Sequence, residues 1–110
     1  MQRSKVIKAF EECKINAKLD YALNKAPDDC KTCSSAWINK EYGKESKGIW
    51  LVYYTFGMNK RKWDDGEQYI CHDLTKEQAK IVVQTLSKYF KVEWDGDESR
   101  CIQISNKGVA

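Results

Sequence analysis

The sequence predicts an α+β fold: a four-stranded antiparallel sheet with helices packed on one face, in the order α-α-β-β-α-β-β, as a single domain over residues 1-110. Three observations carry the prediction. Three segments place apolar residues at three- and four-residue spacing, the mark of helices with one buried face. Other short runs are dense in β-branched and aromatic residues. Asp-Gly pairs at Asp65-Gly66 and Asp95-Gly96 punctuate those runs as strand-pair turns do.

The first helix is expected from about Ser4 to Asn24, with Val6, Ile7, Phe10, Cys13, Ala17 and Tyr21 on its stripe and Ser4 as N-cap. Pro27 stops it, because proline lacks the amide hydrogen and disfavours helical angles in the residue before it. A second helix is expected from Cys30 to about Tyr42, capped by Asp28 or Asp29, with Cys30, Cys33, Trp37 and Ile38 in helical period. The run "IWLVYYTF" has two apolar faces and reads as an inner strand, and "EQYICHD" alternates as its partner. Thr75 and Gln78 form a capping-box pattern ahead of a helix over about Lys76 to Tyr89, with Ala79, Val82, Val83, Leu86 and Phe90 facing the core. The closing segment "KVEWDGDESRCIQIS" is a hairpin, Val92 and Trp94 alternating before the turn and Ile104 after it.

With 42% apolar residues and one proline, the 110-residue chain has the composition of a protein that folds around one core. There is no apolar run long enough to span a bilayer, and the charged start "MQRSKVIKAFEECK" lacks the apolar block of a secretory signal, so the expected compartment is the cytoplasm and no membrane partner is expected. Five cysteines in such a chain are expected to be reduced thiols. Charge is uneven: residues 1-62 carry 13 Lys/Arg against 7 Asp/Glu, and residues 63-110 carry 6 against 9. The basic half falls short of the dense stripe of a nucleic-acid binder and reads first as ordinary solvated surface.

The chemistry-bearing positions centre on Cys30 and Cys33. A structural zinc would need two further soft donors, drawn from Cys71 or His72, which lie on opposite faces of a strand, together with Cys13 or Cys101. A redox pair would use Cys30, on the first turn of a helix, as attacking thiol and Cys33 as resolving thiol. The leading reading is that both thiols pack in the interior beside Trp37. His72, the sole histidine, has no neighbouring pattern that makes a triad and is expected on the outer face of its strand. "WDGDES" does not continue as a calcium loop, since Arg100 stands where the loop glycine belongs and Asn106 where the bidentate glutamate does. Lys60, Arg61, Lys62 and Trp63 combine phosphate-seeking charge with a ring that can stack, in a loop long enough to suggest a use.

The segments "CKTCSSAWINKE", "KGIWLVYY" and "VEWDGDESRCIQI" resemble a family of small bacterial proteins catalogued as a domain of unknown function, the DUF6891 type, over about residues 30-104. Members of that family often continue the first strand with a histidine and then Gln-Asp, where Tyr54-Thr55-Phe56-Gly57 stand here. The resemblance implies an α+β fold and a cysteine pair near the second helix, and it carries no activity.

Without a cofactor loop or a paired acid and base, the expected function is that of a small non-catalytic protein acting through an unidentified protein partner, with a phage- or plasmid-type accessory or inhibitory factor as its candidate form. The alternatives are a zinc-stabilised module, with Cys30, Cys33 and Cys71 as candidate ligands, binding nucleic acid through the Lys60 to Trp63 loop, and a thiol oxidoreductase using Cys30 and Cys33.

Overall fold

A computed structural model describes residues 3-23, 43, 45-51 and 67-105. Helix α1 spans Arg3–Ala17 and is followed by strand β1, Tyr21–Leu23. Strands β2, Gly48–Leu51, and β3, Glu67–His72, come next, then helix α2, Lys76–Leu86, and strands β4, Lys91–Glu93, and β5, Ile102–Ser105. Among the described residues the architecture is α+β, with an open five-stranded sheet in the order β1-β2-β3-β5-β4. Among the described residues no helix is long and apolar enough to cross a membrane.

The four expected strands pair antiparallel, β2 with β3, β3 with β5 and β5 with β4. The expectation fails at the fifth strand: β1 adds to the edge of β2 in parallel, so the sheet is mixed. Its residues fall within the expected first helix, which ends at Ala17. The cause is a helix terminator that the sequence disguises. Lys18 adopts φ 55°, the left-handed conformation, and the Leu19 amide donates back to the Lys14 carbonyl at 3.0 Å. That six-residue return is a Schellman terminator, whose left-handed position is usually glycine. Lysine holds it here, and the next residue, Leu19, is buried. Asp20 then opens the parallel pairing: its amide donates to the Lys47 carbonyl at 2.7 Å, and the Lys47 amide donates to its carboxylate at 2.8 Å. The expected helix from Cys30 to Tyr42, and the continuation of "IWLVYYTF" beyond Leu51, lie outside the described residues.

Both helices cover one face of the sheet. Val6, Ala9, Phe10 and Cys13 of α1 meet Ala79, Val82 and Leu86 of α2 over Ile49, Leu51, Ile70, Ile102 and Ile104. Ile7, expected on the buried stripe, is 40% exposed, and Ala9 takes its place, because the helix turns the 6-9-10-13-17 face inward. Helix α2 begins with the expected capping box: Thr75 Oγ1 accepts from the Gln78 amide and Gln78 Oε1 accepts from the Thr75 amide, each at 3.2 Å. Gln78 Nε2 also donates to the Ala17 carbonyl at 3.3 Å, so one side chain caps the start of α2 and the end of α1. Farther along the helix pair, Glu12 accepts from Lys88 Nζ at 2.9 Å and from the Tyr89 hydroxyl, and these bonds hold its carboxyl below the usual carboxylate range.

Candidate functional site

Strand alternation sends every second side chain to the face opposite the helices. In register across that face stand Tyr69 of β3, Gln103 of β5 and Glu93 of β4. The neighbouring row holds Trp50 of β2 opposite Cys71 of β3, and one further step of the β3–β5 register sets Cys71 opposite Cys101. The two rows differ in exposure: Trp50 and Cys71 are 3% and 4% exposed, whereas Tyr69 is 37% exposed. Toward the β4–β5 end the face opens into a groove of about 510 Å³ lined by Tyr69, Glu93, Trp94, Asp95, Arg100 and Cys101, among others.

The connection between β4 and β5 is built to hold that groove's rim. Gly96 takes φ 88°, which the Asp95-Gly96 pair foretold. The Asp97 amide donates to Asp95 Oδ1 at 2.9 Å, and Asp97 Oδ1 accepts from the Ser99 amide at 2.9 Å and the Ser99 hydroxyl at 2.7 Å. Those bonds from Ser99 keep the Asp97 carboxyl below its ordinary range. The Asp97 carbonyl accepts from the Trp94 indole and the Arg100 amide, each at 3.0 Å. Trp94 thus leans its body on the core while its nitrogen is fixed to the loop. Of the charged residues between 93 and 100, Glu93, Asp95 and Arg100 line the groove, and Asp97 and Glu98 are exposed on the adjoining loop.

The described cysteines fall into two settings. Cys13 is fully buried between the helices, its Sγ 3.9 Å from the Val82 carbonyl, and burial pushes its thiol up to about 12. Cys71 and Cys101 lie on the other face with their Sγ atoms 3.2 Å apart, the first buried and the second exposed. The sheet therefore separates Cys13 from the Cys71–Cys101 pair. His72 points away from that pair, as alternation requires, but not to an outer face as expected: it is half-buried on the helix-covered side with Ile70. Its Nδ1 accepts from the Leu74 amide at 3.2 Å, which leaves Nε2 to donate to the Arg100 carbonyl at 2.8 Å. Burial lowers its pKa, against the opposing pull of the Arg100 carbonyl, Asp73 and Glu98.

Of the candidate metal ligands, Cys71 is described, while Cys30 and Cys33 lie outside the described residues, as do Lys60, Arg61, Lys62 and Trp63. Among the described residues no three His, Cys, Asp or Glu side chains converge as a metal site would require. Of the groove residues, Cys101 enters the sequence reading only as a possible zinc donor, and Tyr69 and Trp94 do not enter it as site residues. Their signal was present: Tyr69 is the large outward residue of an alternating strand, and Cys101 follows the turn at the position opposite Cys71. No protein-family model, curated protein or solved structure matches the chain.

Proposed function

We propose that the chain is a non-catalytic binding protein that takes a basic segment of a protein partner into the groove at the β4–β5 hairpin. The observation that carries this reading is the conjunction of two partly exposed rings, Tyr69 and Trp94, with two carboxylates, Glu93 and Asp95, and one arginine in the groove lining, and two more carboxylates, Asp97 and Glu98, on the adjoining loop. A lysine or arginine side chain entering the groove gains about 0.5–1 kcal/mol over an aromatic face at an exposed site, and more where water is excluded. The carboxylate rim raises the encounter rate of a cationic partner and disfavours an anionic one. The rim is held by hydrogen bonds of Asp95, Asp97 and Ser99, so little ordering entropy is lost on binding. Support for a non-catalytic role comes from His72, whose two ring nitrogens are both committed to backbone groups.

The test is a titration of the whole chain with three fluorescein-labelled probes at low and moderate ionic strength: an Arg/Ser decapeptide, a Glu/Ser decapeptide and a single-stranded oligonucleotide. The expected result is binding of the Arg/Ser peptide only, weakened by salt and at least threefold weaker with Tyr69→Ala or Glu93→Gln. Equal binding of the two peptides, or no binding of the Arg/Ser peptide at low salt, sinks the reading. Capture of the oligonucleotide in preference to both would turn the assignment to the nucleic-acid alternative.

A further inference from the structure

We propose that Cys71 and Cys101 are a peroxide-oxidised dithiol that closes to a reversible disulfide across strands β3 and β5. Three features of the structure meet here. The two Sγ atoms are already 3.2 Å apart. The register that pairs Ile70 with Ile102 sets the two cysteines directly opposite, and directly opposite residues of an antiparallel pair have Cα atoms about 4.5 or 5.5 Å apart. Either spacing falls within the Cα range of about 4.4–6.8 Å that a disulfide spans without backbone movement. Finally, the thiols divide the labour of oxidation: Cys101 is exposed and lines the groove, while Cys71 is buried beneath it.

The chemistry follows from that division. The Cys101 sulfur, as thiolate, attacks one oxygen of hydrogen peroxide; the O–O bond breaks, Cys101 becomes a sulfenic acid and the other oxygen leaves as water after taking up a proton. The Cys71 sulfur then attacks the sulfenic sulfur, the S–O bond breaks and a second water departs. In sum two thiols lose two electrons and two protons, and one peroxide is reduced to two waters. A small-molecule dithiol reverses the step by thiol–disulfide exchange. Cys13, whose thiol burial keeps protonated, takes no part.

The sequence makes the product easy to read. Each of the five cysteines lies on a different tryptic peptide, Cys71 on residues 63-76 and Cys101 on residues 101-107. The full-length protein is treated with one equivalent of hydrogen peroxide, blocked with an alkylating agent, digested without reductant and analysed by mass spectrometry. The expected product is a crosslinked peptide joining 63-76 to 101-107, lost on treatment with dithiothreitol before blocking. In Cys101→Ser, Cys71 is expected to stay reduced under the same dose, since the accessible sulfur is gone; in Cys71→Ser, Cys101 is expected to be oxidised at that dose without the link to residues 63-76. The proposal is overturned if wild-type Cys101 ends as sulfinic acid or in an intermolecular link while Cys71 remains alkylated, or if the recovered crosslinks join other cysteines and not this pair. The readout is independent of peptide binding, so failure of the docking reading leaves this result interpretable.

Discussion

Gly48 is the position where a single methyl group is expected to be felt most. A Cβ built there would stand 2.5 Å from Cδ2 and Cε2 of Tyr21 and 2.6 Å from its Cζ, about 1 Å inside the carbon–carbon contact distance of roughly 3.5–4.0 Å. The ring cannot simply swing aside. Tyr21 is buried, its centroid lies 6.2 Å from that of Trp50, and its hydroxyl donates to Asp73 Oδ2 at 3.1 Å. The other oxygen of Asp73 accepts from the Gly48 amide at 2.8 Å, so one carboxylate ties together the starts of β1 and β2 and the end of β3. Overpacking of this kind costs about 1–3 kcal/mol, offset by about 0.4–1 kcal/mol from the smaller conformational freedom of alanine in the unfolded chain. Gly48→Ala is therefore expected to lose about 1–2 kcal/mol in urea unfolding followed by tryptophan fluorescence and circular dichroism. Tyr21→Ala removes the obstacle, so in that background Gly48→Ala should be nearly neutral, a coupling of about 1 kcal/mol or more. An equal loss in both backgrounds, or no loss in the wild type, would refute the account of this clasp.

Three further expectations follow from the same coordinates. Lys18→Gly relieves a left-handed non-glycine residue, which costs about 1–2 kcal/mol, at the expense of about 0.5–1 kcal/mol of glycine backbone entropy; a net stabilisation of about 0.5–1 kcal/mol, read as a higher urea midpoint at unchanged slope, is expected, and a loss would contradict the terminator. His72 has a folded pKa below its ordinary 6.5, so between the two values the unfolded chain binds more protons and stability rises with pH. Its contribution is complete above about pH 6.5 and is lost as pH falls toward the folded value; unfolding midpoints between pH 5 and 7.5 should show this slope in the wild type and not in His72→Gln. Closing Cys71 to Cys101 constrains a loop of about 30 residues in the unfolded chain, for which chain entropy gives about 3–4 kcal/mol, so the oxidised protein should unfold at clearly higher urea than the reduced one, with no such difference in Cys101→Ser.

How far the sequence led depends on which signal each element used. Helix α2 and the β4–β5 hairpin were legible because their markers are local: Thr75 with Gln78, the Ala79-Val82-Leu86 stripe, and Asp95-Gly96 each fix a boundary within a few residues. Strand β1 was hidden because its evidence is not local. Ala17 and Tyr21 keep a helical spacing by coincidence, Lys18 carries a conformation that the sequence advertises only when it is glycine, and the pairing that makes Tyr21–Leu23 a strand comes from β2, 27 positions along the register from Tyr21 to Gly48. The site was harder still. A turn motif predicts where the chain reverses, but that Tyr69 and Cys101 share a groove depends on β5 inserting between β3 and β4. The spacing of Cys30 and Cys33 is visible in the sequence, while the close pair among the described thiols is separated by 29 intervening residues and united by strand register.

The two faces of the sheet also divide the chemistry of the molecule. On the helix side the reactive types are withheld from solvent chemistry: Cys13 sits with its thiol pushed up to about 12, and the His72 ring is spent on the Leu74 amide and the Arg100 carbonyl. That bond to Arg100 has a consequence across the sheet, because Arg100 directly precedes Cys101. By fixing the backbone just ahead of β5, a histidine on one face sets where a thiol sits on the other, which is the placement that brings the two sulfurs together. Arg100 also lines the groove, so His72 anchors the backbone beside both the groove and the Cys71–Cys101 pair. The sequence offers His72 no triad and no other role; its two backbone bonds make it a structural link between the core and the opposite face of the sheet.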